Sequence, residues 1–157
     1  MQSNTNRILL KKDVKVKELI INQLDITGLL DLTLFNCLEL VNCSANLINN
    51  IGGLSEGLDR LICSSNKLEL LDNLPSTLKE LDCSYNKIFR LDSLPSGLIY
   101  LNCSSNRLVR LDGLPENLIR LNCSINLIEK LSNLPNTKNV INWAKLCQFV
   151  PTIYSHF

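Results

Sequence analysis

One motif recurs along this chain at a fixed interval of twenty residues, and that repeat constrains the fold more than any other feature. It reads Leu-x-x-Leu-x-Cys-Ser-x-Asn, followed by an apolar residue, two further leucines at intervals of three residues, and a proline. A unit this short cannot bury its own leucines, so neighbouring units must stack and share one core. The chain is therefore predicted to be a solenoid. Four copies start at Leu58, Leu78, Leu98 and Leu118, and an earlier one at Leu38 has Ser55 in place of the proline.

The centre of each unit predicts a short strand, because Leu61 and Cys63 are two residues apart and strand side chains alternate between faces. Strands of successive units would pair in parallel, with their cysteines side by side at about 4.8 Å. Small thiols fit such positions as apolar filler, whereas a straight row gives neither a disulfide framework nor converging metal ligands. The predicted row of buried, reduced thiols, here named the cysteine ladder, consists of Cys43, Cys63, Cys83, Cys103 and Cys123.

An asparagine follows each predicted strand and starts the turn away from it. Its amide can satisfy backbone groups of its own loop and of the neighbouring repeat, and the hydroxyl of the serine before it can bond within the same turn. A rail of asparagines that binds a ligand is the alternative interpretation, and the structural one is favoured. This row, here named the asparagine ladder, consists of Asn46, Asn66, Asn86, Asn106 and Asn126.

The return side of each twenty-residue unit is too short for a full helix. A Leu-Pro pair in the last four copies also favours extended or polyproline backbone there. We therefore expect a leucine-rich solenoid with a parallel β-sheet on its concave face, short extended or turn-like convex segments, and little helix.

The repeats decay towards both ends of the chain, which we interpret as a single domain over residues 1–157. Residues 1–15 are an N-terminal entry segment or cap, residues 16–37 a degenerate repeat, residues 38–137 five regular repeats, and residues 138–157 a degenerate last strand with a C-terminal cap. Terminal repeats are atypical because they cover the open ends of the core. In the degenerate first repeat, the apolar positions are assigned to Val16, Leu19, Ile21, Ile26 and Leu29.

The C-terminal segment has two interpretations. Residues 139–143 fit a last strand in register, with Trp143 as a large apolar plug that closes the core. A cap helix over residues 140–150, stopped by Pro151, is the alternative.

Charge and composition exclude several classes of function. Sixteen lysines and arginines oppose fifteen aspartates and glutamates, so the net charge is +1 and gives no bulk attraction to nucleic acid or membranes. No apolar run is long enough to span a bilayer, and Ile8-Leu9-Leu10 is too short for the core of a signal peptide. Reduced thiols also indicate a reducing compartment. We expect a cytoplasmic protein whose partners are neither nucleic acid nor membrane.

No catalytic constellation is recognisable in the sequence. There is no Ser-His-Asp set, metal-ligand cluster or phosphate-binding loop, and the single histidine, His156, has nothing near it in sequence to orient it. We therefore predict that the protein is not an enzyme and that it has no catalytic residue, no metal site and no cofactor.

The full motif resembles the short, twenty-residue leucine-rich repeats, and the resemblance covers about Leu38 to Pro135. It is similar to the repeat domains of effector proteins that pathogenic bacteria inject into host cells, and to the repeat proteins of giant DNA viruses that infect amoebae. The resemblance implies a leucine-rich-repeat solenoid. It also implies a module that binds another protein, in the host cytoplasm for an effector-like or viral chain.

The side chains that alternate with the buried ones would form the concave face. They combine charges, amides, two tyrosines and isolated aliphatic groups, which suits a protein-recognition surface. The alternative is a structural or self-associating repeat protein with no specific ligand, present as a monomer or in weak self-association. For the first hypothesis, the predicted partner-binding residues are Arg60, Glu80, Asp82, Tyr85, Tyr100, Asn102, Arg120 and Asn122.

Two rows of basic residues recur outside the concave face. A solvated set of alternating charges is the favoured interpretation. Phosphate binding is the alternative, and it lacks the unbalanced charge and stacking aromatic residues that single-strand binders use. The rows are Lys67, Lys87 and Arg107, and Arg90, Arg110 and Lys130, with Asp72, Asp92 and Asp112 as the expected partners of the second row.

Overall fold

The computed structural model describes residues 15–128, and within that range the chain forms eight short strands and no helix. The predicted parallel solenoid with extended return segments is thereby confirmed. The strands are β1 (Glu18–Ile20), β2 (Thr27–Asp31), β3 (Leu40–Asn42), β4 (Leu47–Gly52), β5 (Arg60–Ile62), β6 (Glu80–Asp82), β7 (Tyr100–Asn102) and β8 (Arg120–Asn122).

Six of these strands form one parallel sheet in the order β1-β3-β5-β6-β7-β8. The register advances by one repeat at each step, so that Leu61 lies opposite Leu81, Leu81 opposite Leu101, and Leu101 opposite Leu121. Each motif position is therefore stacked on the same position of the next repeat. As a result, the residues that share one motif position form a row of side chains across the sheet.

The leucine positions of the motif form a continuous buried core. Within one repeat, Leu78, Leu81, Cys83 and Ile88 are fully buried, and Leu91 is nearly so. Full burial of one such aliphatic side chain contributes roughly 1.5–3 kcal/mol. The buried residues of all the described repeats belong to a single cluster, which joins the sheet to the return segments.

A second, two-stranded sheet forms at the N-terminal end, where β2 pairs in parallel with β4. Its register shifts between Gly28 and Leu29. As a result, Leu30 lies opposite Ile51 and is buried, while Leu29 is 56% exposed. The prediction that Leu29 occupies a core position was wrong, because β4 has an extra residue, Asn49, at the register shift, and Leu30 rather than Leu29 therefore pairs with the buried Ile51.

The other assigned positions of the degenerate repeat do face the core. Ile21 is buried, and Val16, Leu19 and Ile26 are partly buried against the core cluster. The first strand, β1, pairs with β3 and lies at one edge of the described sheet.

The turn after each strand places a residue other than glycine in the left-handed region of backbone conformation. Tyr85 and Ile125 both have a φ of 53°, which is uncommon for large and β-branched residues. The equivalent residues in the other described repeats are Ala45, Ser65 and Ser105. The same conformation recurs because the same turn follows every Cys-Ser pair.

A second left-handed turn recurs on the return side, at Gly53, Asn73, Ser93 and Gly113. Glycine is required at the first of these positions, because a Cβ atom on Gly53 would lie 2.4 Å from the backbone nitrogen of Thr33. Asn73 and Ser93 occupy the equivalent position in later repeats, and a Cβ atom on Gly113 would meet nothing within 4 Å, so the close approach is confined to the N-terminal end.

Part of the predicted domain organisation lies outside the described residues. This applies to the entry segment up to residue 14, the predicted last strand at residues 139–143, Trp143 as a core plug, and the C-terminal cap.

Candidate functional site

The predicted partner-binding residues divide into two groups. Four of them, Arg60, Glu80, Tyr100 and Arg120, occupy one position of successive strands and lie side by side across the sheet face. Together with Asp82 in the next row, they line a hollow of about 530 Å³. The other three predicted residues do not line the hollow; they are Tyr85, Asn102 and Asn122.

Three isoleucines that the sequence reasoning did not single out as contact residues also line this hollow, here named the concave hollow. Ile62 comes from β5, and Ile99 and Ile119 each come immediately before a strand. The sequence does distinguish Ile99 and Ile119. The position after the first leucine of the motif carries a charged residue in the earlier repeats and isoleucine in these two. The concave hollow therefore has an aliphatic lining with charged groups beside it.

Tyr100 lies at the centre of this arrangement. Partial burial raises the pKa of Tyr100, and the carboxylates of Asp82 and Glu80 raise it further, against the opposing effects of Arg120 and of a hydrogen bond with Asn102. The phenol therefore stays protonated at neutral pH. It offers a neutral hydroxyl and an apolar ring to a ligand.

Ion pairs organise the N-terminal part of the same face. The Nε atom of Arg60 lies 2.5 Å from Oε2 of Glu80. Two further pairs link neighbouring repeats in the row before the strands, at 2.6 Å between Lys17 and Glu39 and at 2.7 Å between Lys79 and Asp59. Exposed pairs of this kind contribute little to stability. They do make this part of the face polar, whereas Ile99 and Ile119 add apolar surface beside Tyr100.

The serines of the motif hold the second row of the face in place. The Ser84 hydroxyl donates to Oδ1 of Asp82 at 2.6 Å, and the Ser104 hydroxyl donates to Oδ1 of Asn102 at 2.8 Å. The backbone N–H groups of both serines donate to the same oxygen atoms. The same bonds form at Asn42 with Ser44 and at Asn122 with Ser124, whereas β5 carries Ile62 at this position. Sequence reasoning expected a local serine bond and missed that its acceptor is a concave side chain.

The side-chain amides of the asparagine ladder form hydrogen bonds with backbone groups. Oδ1 of Asn66 accepts a hydrogen bond from the N–H of Ile48 in the previous repeat. Its Nδ2 donates to the carbonyls of Cys43 in that repeat and of Cys63 and Ser64 in its own. With its amide used in this way, Asn66 belongs to the scaffold.

The cysteine ladder also lies in the protein interior. All five of its thiols are buried, and none of them is in a disulfide. Burial raises the pKa of the Cys43 thiol to about 12 and raises the pKa of Cys63 and Cys83 well above the ordinary value. Protonated, inaccessible thiols are neither nucleophiles nor metal ligands. Across residues 15–128 there is no group of His, Cys, Asp and Glu side chains that could hold a metal ion.

The second basic row forms the local pairs that its spacing predicts. Arg90 Nε lies 3.6 Å from Oδ2 of Asp92, and Arg110 Nε lies 3.5 Å from Oδ2 of Asp112. Both pairs are on the return side of the repeat and are solvent-exposed. Arg90 and Arg110 are thus locally neutralised, as the alternating-charge interpretation expects, and Lys130 lies outside the described residues.

Solved structures resemble this architecture closely, although no protein-family profile and no curated protein sequence matches the chain. The leucine-rich-repeat domain of a Shigella effector matches with 33% identity and a TM-score of 0.72, over 76% of this chain and 54% of that one. The chain is a leucine-rich-repeat solenoid. YopM from Yersinia enterocolitica also matches this leucine-rich-repeat chain, with 39% identity and a TM-score of 0.67, over 71% of this chain and 24% of that one.

These comparisons confirm the predicted resemblance to the repeats of bacterial effectors, and the resemblance to viral repeat proteins stays a prediction. The leucine-rich-repeat chain spans about half the length of the Shigella domain and about a quarter of YopM. Folds of this class serve generally as protein-interaction modules, because stacked repeats create an extended binding surface. Among the described residues, no helix is both long enough and apolar enough to cross a membrane.

Proposed function

We propose that this leucine-rich-repeat protein is a non-catalytic module that binds another protein through its concave face. The observation that carries this proposal is the concave hollow, in which Tyr100 and Arg120 lie beside Ile62, Ile99 and Ile119. Protein interfaces are enriched in aromatic residues and arginine at their centres, where most of the binding energy is concentrated. A protruding apolar side chain of a partner would fill the hollow.

The surroundings of the hollow are ordered before any partner binds. Arg60 and Glu80 hold each other in an ion pair, and Ser84 and Ser104 fix Asp82 and Asn102. Side chains that are already fixed lose less conformational entropy on binding. This preorganisation supports a recognition role for the face.

We place the protein in the cytoplasm, and in the host cytoplasm if it acts as an effector. The cysteines of residues 15–128, none of which is in a disulfide, support a reducing compartment, and the similarity to a Shigella effector domain supports delivery into a host cell. The net charge of +1 supports a protein partner over nucleic acid or a membrane surface.

Affinity capture from a eukaryotic cell lysate, read by quantitative mass spectrometry, tests the proposal. The concave variant combines Tyr100→Ser with Ile119→Ser. The matched control combines Phe89→Ser with Val109→Ser, which removes exposed apolar groups outside the hollow. A partner should be captured by the wild type and the control and lost with the concave variant. Equal capture by all three proteins would show that the concave hollow is not the binding site.

Self-association is a second candidate function, and the N-terminal end of the solenoid favours it. β1 is an edge strand of the described sheet, and edge strands present unpaired backbone groups. Apolar side chains are also exposed there, at Ile20, Leu24, Leu29 and Leu34. Light scattering over a range of concentrations separates the two candidates. A mass that rises with concentration, together with no captured partner, would favour self-association.

A further inference from the structure

Three cations form a row just beyond the asparagine ladder, where the chain leaves the concave sheet. They are Lys67, Lys87 and Arg107, here named the lateral strip. The backbone holds them in register, because the N–H of Lys87 donates to the carbonyl of Leu68 and the N–H of Arg107 donates to the carbonyl of Ile88, both at 2.8 Å. Equivalent positions of neighbouring repeats lie about 4.8 Å apart, so three like charges follow one another along the solenoid.

The lateral strip differs from the other charged rows in its lack of neutralising partners. None of its three cations forms an ion pair with a carboxylate of residues 15–128, and this includes Glu69, two residues after Lys67. Five cations elsewhere are paired, in the combinations Lys17–Glu39, Arg60–Glu80, Lys79–Asp59, Arg90–Asp92 and Arg110–Asp112. The strip is thus an unbalanced charge on a nearly neutral chain.

The fold itself does not require a cation at this position. Like charges that lie opposite each other in neighbouring strands are unfavourable, and the equivalent residues at the two ends of the row are Leu47 and Leu127, both exposed. An uncompensated positive row attracts and orients an anionic partner. We propose that the lateral strip binds the acidic face of an α-helix in a partner protein.

The spacing of the strip favours a helix. Side chains three or four residues apart on a helix have Cβ atoms about 5–6 Å apart, close to the spacing of about 4.8 Å between repeats. Side chains on one face of an extended strand are about 6.6–6.8 Å apart, which is wider than the spacing between repeats. The third carboxylate of a bound strand would therefore not align with the third cation of the strip. Carboxylates on successive turns of a helix can therefore meet all three cations.

Single-stranded nucleic acid fits the strip less well. Such ligands need aromatic side chains on which successive bases stack. Tyr85 and Phe89 are exposed beside Lys87, but the equivalent positions beside Lys67 and Arg107 carry no aromatic residue. The leucines at the two ends of the row instead suit a helix whose acidic centre is bordered by apolar side chains.

Fluorescence anisotropy with a model helix tests the proposal. The probe is a labelled alanine-rich peptide with glutamates four residues apart, and its control has glutamine at the same positions. At low salt the wild type should bind the glutamate peptide and not the control. Combining Lys67→Gln, Lys87→Gln and Arg107→Gln should weaken binding about tenfold or more, because each exposed ion pair contributes up to about fivefold. Added salt should weaken the binding of the wild type, because Lys67 and Arg107 are exposed and Lys87 is partly exposed.

A second triple variant controls for net charge. Lys79→Gln, Arg90→Gln and Arg110→Gln remove the same total charge from cations that are paired, so this variant should keep most of the binding. Equal weakening by the two variants, or equal binding of the glutamine peptide, would overturn the proposal in favour of non-specific attraction. A wild type that binds neither peptide would overturn it as well. Tighter binding of an oligouridylate through the same three cations would assign the strip to nucleic acid instead.

Thermal unfolding distinguishes a binding role from a structural one. The variant with all three strip cations replaced should unfold at the same temperature as the wild type or a higher one, because stacked like charges are removed. A clear fall in Tm would show that the three cations support the fold, and would argue against a strip kept for binding.

Discussion

Asn86 shows how a single residue joins two repeats. Its Nδ2 donates to the carbonyls of Cys63 in the previous repeat and of Cys83 in its own, at 3.0 and 3.1 Å, while Oδ1 accepts from the N–H of Leu68 at 3.0 Å. Leaving buried backbone groups without partners costs about 1–3 kcal/mol. We therefore expect Asn86→Ala to lower the free energy of unfolding by at least that amount in urea denaturation. Asn50→Ala, at an exposed position of β4, is the control and should change it by less than about 0.5 kcal/mol.

The buried thiols make stability depend on pH in the alkaline range. Unfolded cysteine loses its proton near a pKa of about 8.5, whereas burial keeps Cys43, Cys63 and Cys83 protonated to much higher pH. Above the ordinary pKa the folded chain binds more protons than the unfolded chain. The free energy of unfolding therefore falls as pH rises, by at most about 1.4 kcal/mol per pH unit for each thiol. Below that pH these thiols give no slope.

Urea unfolding at a series of pH values from neutral to alkaline measures this slope. Cys63→Ala should be less stable than the wild type at neutral pH because it removes a buried group, and its stability should fall less steeply with pH. The comparison cancels the contributions of lysines and tyrosines that both proteins share. Parallel curves for the two proteins would contradict the assignment of the slope to buried thiols.

At the scale of the element, each strand of the six-stranded sheet has only three residues, and its side chains alternate between the two faces. In β7, Leu101 points into the core and is fully buried, while Tyr100 on the opposite face is half-buried in the concave hollow. Leu101→Ala should lower the free energy of unfolding by roughly 2–5 kcal/mol, the usual range for a core leucine. Tyr100→Ala should cost far less. Equal losses in chemical denaturation would mean that the two faces of β7 are interchanged.

At the scale of the whole molecule, the identical register of successive strands makes the repeats interchangeable as units. Deleting residues 81–100 removes one repeat of twenty residues and joins Glu80 to Leu101, which follows the equivalent residue of the next strand. The shortened chain should fold with the same circular dichroism spectrum and a lower Tm, because stability is approximately a sum of repeat and interface contributions. Deleting only residues 81–90 breaks the register, and that chain should fail to fold. Similar behaviour of the two deletions would show that the period is not the unit of folding.

The period of the repeat by itself determined the parallel sheet, the inward cysteine ladder and the turn-forming asparagines, because those features depend on residue order within one twenty-residue unit. The pairs Arg90–Asp92 and Arg110–Asp112 followed from local spacing in the same way. Local order also showed which side chains face outwards from the sheet. It did not show which of them would lie together around one hollow.

Only the tertiary structure decided the features that depend on how turns stack. Ile99 and Ile119 became part of the concave hollow because stacking brought them beside Tyr100. Leu30 replaced Leu29 in the core because an extra residue in β4 shifts the register and sets Leu30 opposite Ile51. The unpaired state of the lateral strip likewise depends on distances between repeats. These distances are set by how each repeat packs on the next, so no pattern within a single repeat specifies them.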